Sequence, residues 1–129
     1  MARVHEESLR RIRREDVAQL LTAAAKLADV LEMPRTMFGR GIGLMFRKRL
    51  DPGRGMWINP CSGIHMMFMN FPIDAVFLDT RERVKKVYRK LPAWWGIVPL
   101  EWGAHSVLEL PPNSTAAIDL QRGDQILIR

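Results

Sequence analysis

From residue 55 onward the chain alternates between short apolar runs and turn residues, a pattern typical of β-strands. Proline, glycine and asparagine bound the apolar runs, as they do where strands end in tight turns. The predicted strands are 55–59, 63–70, 73–78, 83–91, 106–110 and 125–128. Strands of this length and spacing indicate a mainly β fold, and we expect a compact antiparallel β sandwich or barrel-like domain with short helices.

The remaining segments favour helices. Residues 5–21 carry apolar side chains at helical spacing, which predicts an amphipathic helix. Residues 23–33 are rich in Ala, Leu, Lys and Glu, and propensity alone would continue that helix. Thr36 is a candidate N-cap of a short helix through Phe46, and residues 114–118 are a candidate helical turn after Pro and Asn.

Composition and charge narrow the class of protein. A chain of 129 residues with 47% hydrophobic residues fits one domain with its own core. The formal charge of +6 would suit RNA or an anionic membrane surface, and basic residues cluster in 3–14, 47–54 and 81–90. No nucleic-acid motif accompanies these clusters, and a charged edge strand also protects against aggregation. We therefore expect no nucleic-acid partner and keep an RNA-binding or membrane-surface role as an alternative.

The number of cysteines and the nature of the apolar segments indicate the cellular compartment in which we expect the protein. Cys61 is the only cysteine, so no disulfide can form within the chain, which is compatible with a reducing cytoplasm. Residues 55–73 lack charged side chains but contain prolines, glycines and asparagines that would be costly in lipid. The N-terminal apolar run 17–25 is a poor match to a signal peptide, because the acidic residues Glu15 and Asp16 precede it and Gln19 lies within it. We expect a cytoplasmic protein without a transmembrane segment.

Five short motifs occur in a specific order, namely GLMFRKRL, PGRGMWINP, CSGIHMMFMNFPIDAVFLD, GAHSVLELPPNSTA and LQRGDQI. In this order they resemble the bacterial and archaeal family called domain of unknown function 192. The resemblance covers about 20–129 and implies a single β-rich domain there, preceded by a basic extension over 1–19. It also implies a strand over 27–33, against the helix that propensity favours. The family's activity is unassigned, so the resemblance implies neither a catalytic residue nor a cofactor.

The predicted strand 63–70 offers a candidate metal site. Alternation along the strand would place His65, Met67 and Met69 on one face, and Cys61 would join them if the strand starts early. Thiolate, imidazole and thioether groups are soft ligands suited to Cu(I). A methionine-rich core strand with a buried thiol explains the same residues without a metal, and we expect none.

Two carboxylates interrupt apolar strands and form a second candidate site. A buried carboxylate needs a partner, or its pKa rises. Asp74 and Glu109 could act together as the two acids of a hydrolase. The structural alternative pairs Asp74 with Arg47, while Glu109 accepts backbone or arginine hydrogen bonds.

The loop 91–103 places Trp94 and Trp95 among prolines and glycines, an arrangement common at ligand contacts. The leading hypothesis is a small, non-enzymatic domain that binds a small molecule or a protein in a cleft lined by His65, Met67, Trp94 and Trp95. Other residues that could contribute to binding are Asp74, Glu109 and Arg47. A hydrolase that uses the two carboxylates is the first alternative, and no cofactor is predicted.

Overall fold

A five-stranded sheet organises the protein, seen in a computed structural model that describes residues 4–5 and 27–128. The elements, in chain order, are β1 (Val4–His5), β2 (Val30–Glu32), α1 (Met37–Ile42), β3 (Arg54–Ile58), β4 (Ile64–His65), β5 (Ile73–Leu78), β6 (Val84–Leu91), β7 (Ile97–Val98), β8 (Ser106–Leu110), α2 (Ser114–Ala117) and β9 (Leu127–Ile128). The helix predicted over 5–21 lies outside the described residues except at His5, which belongs to β1 and pairs with β9.

The sheet has the strand order β2-β3-β8-β5-β6, and two smaller sheets pair β4 with β7 and β1 with β9. Every pairing in the large sheet is antiparallel except that of β2 with β3, which is parallel. The predicted mainly β class with short helices is confirmed, and the parallel pair makes the sheet mixed. No helix among the described residues has the length and apolarity needed to cross a bilayer.

The central strands β5 and β8 are buried on both faces of the sheet, and every residue of each is buried or nearly so. One face, which we call the α2 face, packs against the segment that follows α2. Its core includes Val76, Leu108, Leu120 and Ile126. The opposite face, the α1 face, packs against the segment that follows α1. Its core includes Leu44, Met56, Met69, Phe77 and Val107. Burial on both sides explains the near-continuous apolar runs of these two strands.

The strand predictions succeed where the apolar run is continuous. The predicted strands 73–78 and 106–110 coincide with β5 and β8, and 55–59, 83–91 and 125–128 overlap β3, β6 and β9. The strand predicted over 63–70 is wrong beyond β4, where the chain turns and the Met69 N–H bonds the Met66 carbonyl at 3.1 Å.

The helix that propensity favours over 23–33 is also wrong where the chain is described, because Val30–Glu32 forms β2. Leu31 is fully buried against the α2-face core. Tertiary packing beside β3 overrides the local preference, and the strand that the family resemblance implies is confirmed there.

The helix predicted from Thr36 begins as expected and ends early. The Thr36 side chain accepts a hydrogen bond from the Gly39 N–H at 2.8 Å and so caps α1. The helix stops at Ile42 instead of Phe46, because Gly43 takes a φ of 52° and turns the chain out of the helix. This turn carries the following residues across the α1 face.

Asp74 is fully buried, and its partners differ from the predicted Arg47. One carboxylate oxygen accepts the Lys90 N–H at 3.0 Å, and the other accepts the N–H and the hydroxyl of Thr115 at 3.0 and 2.7 Å. The register of β5 with β6 slips beside Asp74, and Lys90 has a φ of 53°, which frees its N–H for the carboxylate. Arg47 instead pairs with Glu32.

Asp74 therefore ties α2 and the end of β6 to the central strand, and its removal is expected to destabilise the fold. Asp74→Ala leaves the two N–H groups without their acceptor in a buried site, and we expect the free energy of unfolding to fall by about 3–5 kcal/mol. Urea denaturation measures this. The control is Asp51→Ala, which breaks an exposed ion pair with Arg49 and should cost less than about 1 kcal/mol. Equal losses in the two variants would contradict the anchoring role.

Candidate functional site

A pocket of about 400 Å³ opens on the α1 face of the sheet, and we call it the Glu109 pocket. The strand β8 supplies Glu109, which pairs with Met56 of β3 and with Ala75 of β5 and so lies in the middle of the sheet. A Cβ atom at Gly43 would stand 3.5 Å from the Oε1 atom of Glu109, so the turn after α1 passes close to the carboxyl. The pocket is lined by α1 and this turn on one side and by the chain from Ile58 to His65 on the other.

Glu109 is almost completely buried, with 6% of its surface exposed, and none of the described residues donates a hydrogen bond to it. This differs from the expectation that it accepts backbone or arginine hydrogen bonds. Burial raises the pKa of Glu109 to about 7, and the charge of Arg47 only partly opposes the rise. The Arg47 guanidinium is itself held by both carboxylate oxygens of Glu32.

Cys61 and His65 also line the Glu109 pocket, but the arrangement does not provide a thiolate. The Cys61 thiol donates a hydrogen bond to the Gly63 carbonyl at 3.0 Å. Burial raises the pKa of the Cys61 thiol, and the nearby carboxyl of Glu109 adds to the rise. A thiol in this state is protonated at neutral pH, which makes it a weak nucleophile and a weak metal ligand.

The predicted soft-ligand face is divided by the structure. Cys61, His65 and Met69 line the Glu109 pocket, whereas Met67 is exposed and lies on the other side of His65. The strand ends at His65, so the alternation that would have aligned all four residues is lost. Within the described chain, no three His, Cys, Asp or Glu side chains are grouped closely enough to hold a metal ion.

A second concavity, of about 520 Å³, lies beyond His65, and we call it the aromatic cleft. The structure brings together all four residues of the leading hypothesis in its lining, which consists of His65, Met67, Trp94, Trp95, Gly96 and Ile97. The pairing of β4 with β7 sets His65 opposite Ile97. Two hydrogen bonds of 2.8 Å, from Trp94 N–H to the Met66 carbonyl and from Met66 N–H to the Gly96 carbonyl, fix the tryptophan loop beside the methionine turn.

Two aromatic residues that the sequence did not single out, Phe46 and Phe68, form a row of rings that ends at Trp94 of the cleft. The rings of Phe46 and Phe68 lie 5.2 Å apart, and those of Phe68 and Trp94 lie 5.3 Å apart. Phe46, Phe68 and Trp94 all have positive φ values, and the Phe46 N–H donates to the Phe68 carbonyl at 2.9 Å. These turns hold large apolar side chains at the surface, and no periodic pattern in the sequence signals them.

Asp74 and Glu109 do not come together as a catalytic pair. Glu109 is directly opposite Ala75 in the β5–β8 register, and neighbouring residues of a strand point to opposite faces. Asp74 therefore lies on the α2 face, where Thr115 and Lys90 bind its oxygens. The two carboxyl groups are separated by the sheet, which excludes their joint action on one bond.

The basic strand β6 occupies an edge of the large sheet. Its one aromatic residue, Tyr88, packs edge-on against Phe77 and donates its hydroxyl hydrogen to Glu101. The Lys86 ammonium lies over the same ring, 5.6 Å from its centre. The Tyr88 ring is therefore engaged within the protein and does not offer a free stacking surface for a nucleic-acid base.

The pKa of Glu109 predicts a pH-dependent stability. Its ordinary value is 4.5, so the folded protein holds an extra proton between pH 4.5 and about 7. The unfolded chain binds fewer protons in this range, and the free energy of unfolding therefore falls as the pH rises through it. The difference between the two pKa values corresponds to about 3 kcal/mol.

Glu109→Gln removes the titrating group, and urea denaturation at pH 4.5 and pH 8 measures the result. We expect the variant to exceed the natural protein by up to about 3 kcal/mol at pH 8 and to match it at pH 4.5 within about 1 kcal/mol. The exposed carboxyl variant Asp51→Asn is the control and should differ by less than about 1 kcal/mol at both pH values. A Glu109→Gln difference that is the same at both pH values would contradict the raised pKa.

Comparisons with known proteins agree with this architecture. A protein of unknown function from Novosphingobium aromaticivorans DSM 12444 has a similar crystal structure, with a TM-score of 0.69 and 24% sequence identity over 75% of this chain and 73% of that chain. A protein of Sinorhizobium meliloti 1021, described as a candidate transcription regulator, has a TM-score of 0.68 and 20% identity over 78% of this chain and 81% of that chain. At these identities the likeness shows a shared fold only.

Among curated proteins, none matches this sequence. Residues 19–128 match the sequence profile of domain of unknown function 192, which carries the description Uncharacterized ACR. Since the match spans almost the entire chain, the protein belongs to this family.

Proposed function

We propose that the protein is a non-enzymatic binding domain whose aromatic cleft receives the apolar part of a small molecule. The observation that carries this proposal is the exposure of Trp95, at 86%, beside Trp94 and Met67 in a concave surface. Large exposed apolar groups are unfavourable in water, and their grouping in one concave surface is typical of a binding site.

The size and the lining of the cleft suit a small ligand. A volume of about 520 Å³ lies within the range of small-molecule sites, which is roughly 300–1,000 Å³. The indole rings of Trp94 and Trp95 offer faces for stacking, and the flexible thioether of Met67 can adapt to an irregular shape. His65 and the indole N–H groups supply hydrogen-bonding groups that could orient the ligand.

The chemistry of the lining supports binding over catalysis. Among the described residues that line the cleft, none carries a carboxyl, hydroxyl or thiol group that could serve as a nucleophile. His65 is the one residue there that could accept a proton, and a base without a nucleophile or an electrophile gives little rate enhancement. The backbone bonds between the Trp94 and Met66 segments pre-form the cleft, which lowers the entropy lost on binding.

A titration with indole as an aromatic probe tests this proposal through the methionine methyl signals in NMR spectra. We expect the Met67 methyl signal to shift with indole concentration, and Trp95→Ala to weaken binding about fivefold through the loss of one stacking contact. Trp102→Ala is a matched control, because Trp102 is 81% exposed and lies outside the cleft lining. Its affinity should equal that of the natural protein.

Equal weakening in the Trp95→Ala and Trp102→Ala variants would show that indole binds exposed tryptophans without selecting the cleft. An absence of any Met67 shift at saturating indole would likewise contradict the proposal. Thermal denaturation of both variants confirms that each is folded, since neither side chain belongs to the core.

A further inference from the structure

The Glu109 pocket contains a carboxyl group that accepts no hydrogen bond from the part of the chain that the structure describes. Asp74, in the neighbouring strand, receives three hydrogen bonds, whereas no described residue donates one to Glu109. A buried carboxylate that lacks donors is costly, and the cost falls if a ligand brings a donor or a positive charge into contact with it. Glu109 lines the pocket, so a ligand there can reach its oxygens.

The other residues that line the Glu109 pocket indicate the chemistry of the remainder of the ligand. Most side chains around Glu109 are apolar, and they include those of Met37, Ile42, Leu44, Met45, Ile58 and Met69. These residues would contact hydrocarbon and exclude water from the ion pair, which strengthens the attraction between the two charges. A volume of about 400 Å³ admits a compact molecule with a single ring or a short chain.

Four other titratable or charged groups lie in the pocket or near the carboxyl, and they limit the positive charge that a ligand can carry. Arg47 is compensated by Glu32, and Cys61 is a neutral thiol. Arg40, in the last turn of α1, lines the pocket and donates to the Arg35 carbonyl at 3.4 Å. Its guanidinium keeps its positive charge, so it would repel a ligand with two positive charges more strongly than a ligand with one. His65 belongs to the wall shared with the aromatic cleft.

We propose that the Glu109 pocket binds a small primary amine with an apolar body, whose ammonium group donates hydrogen bonds to the Glu109 carboxylate. The ammonium group supplies hydrogen-bond donors, which no described residue offers to Glu109. The methionine, leucine and isoleucine side chains bury the hydrocarbon part of the ligand. This site is distinct from the aromatic cleft, and it stands or fails independently of the function proposed for that cleft.

Isothermal titration with cyclohexylamine, and with cyclohexanol as its neutral analogue of equal shape, tests the proposal. Alkylamines remain protonated at both pH 6 and pH 8, as lysine does. With the pKa of Glu109 at about 7, its charged fraction falls from roughly 90% at pH 8 to roughly 10% at pH 6. We therefore expect cyclohexylamine to bind about tenfold more weakly at pH 6, and cyclohexanol to bind weakly with no dependence on pH.

Three variants test whether the pH dependence of cyclohexylamine binding arises from the Glu109 carboxyl. Glu109→Gln keeps the shape of the side chain, and it should lower the affinity for the amine at pH 8 by about tenfold or more while leaving cyclohexanol unaffected. Because histidine is a residue type that titrates near neutral pH, His65→Gln is the control for the pH profile and should retain it. Trp95→Ala should leave amine binding unchanged, which separates this pocket from the aromatic cleft.

Three results would overturn the proposal. The first is no detectable binding of the amine at pH 8, and the second is an equal affinity for amine and alcohol. The third is a pH dependence that survives in Glu109→Gln and disappears in His65→Gln. Denaturation curves establish that the three variants are folded, so a loss of binding reports on the site itself.

Discussion

The antiparallel pairing of β5 with β8 is the constraint that positions both buried carboxyl groups, and the Glu109 pocket depends on it. These two strands are buried on both faces, and their register sets Ala75 opposite Glu109 and Asp74 opposite Leu110. A slip of one residue would exchange the faces of every side chain in a strand and place carboxylates among the opposite core residues. The register therefore decides that Glu109 faces α1 and that Asp74 faces α2.

The two buried carboxyl groups show how the same residue type acquires different roles from its neighbours. Around Asp74, the capping turn of α2 and the slipped end of β6 provide N–H and hydroxyl donors at 2.7–3.0 Å. Around Glu109, the turn at Gly43 brings backbone close to the carboxyl but directs no described donor to it. The Asp74 carboxylate is hydrogen-bonded within the fold. The Glu109 carboxyl, whose pKa is raised by burial, lines a pocket in which a ligand could reach it.

Two short strands and several tight turns determine the shape of the surface around His65, more than long strands or helices do. The two-residue pairing of β4 with β7 places the methionine turn beside the tryptophan loop. Positive φ values at Phe46, Phe68 and Trp94 then hold three aromatic rings at the surface in contact with one another. Non-glycine residues adopt this backbone conformation at some cost in energy, and such residues often cluster at binding sites.

The sequence alone determined the mainly β class, the strands β5 and β8 and the start of α1 at Thr36, and it named four of the six residues that line the aromatic cleft. Those features arise from local patterns, because continuous apolar runs, cap residues and turn residues act over a few positions. Only the tertiary structure decided the partner of Asp74, since Thr115 is 41 residues away along the chain. It likewise decided that β4 ends at His65 and that no described residue donates a hydrogen bond to Glu109, because these depend on which distant segments the packing brings into contact.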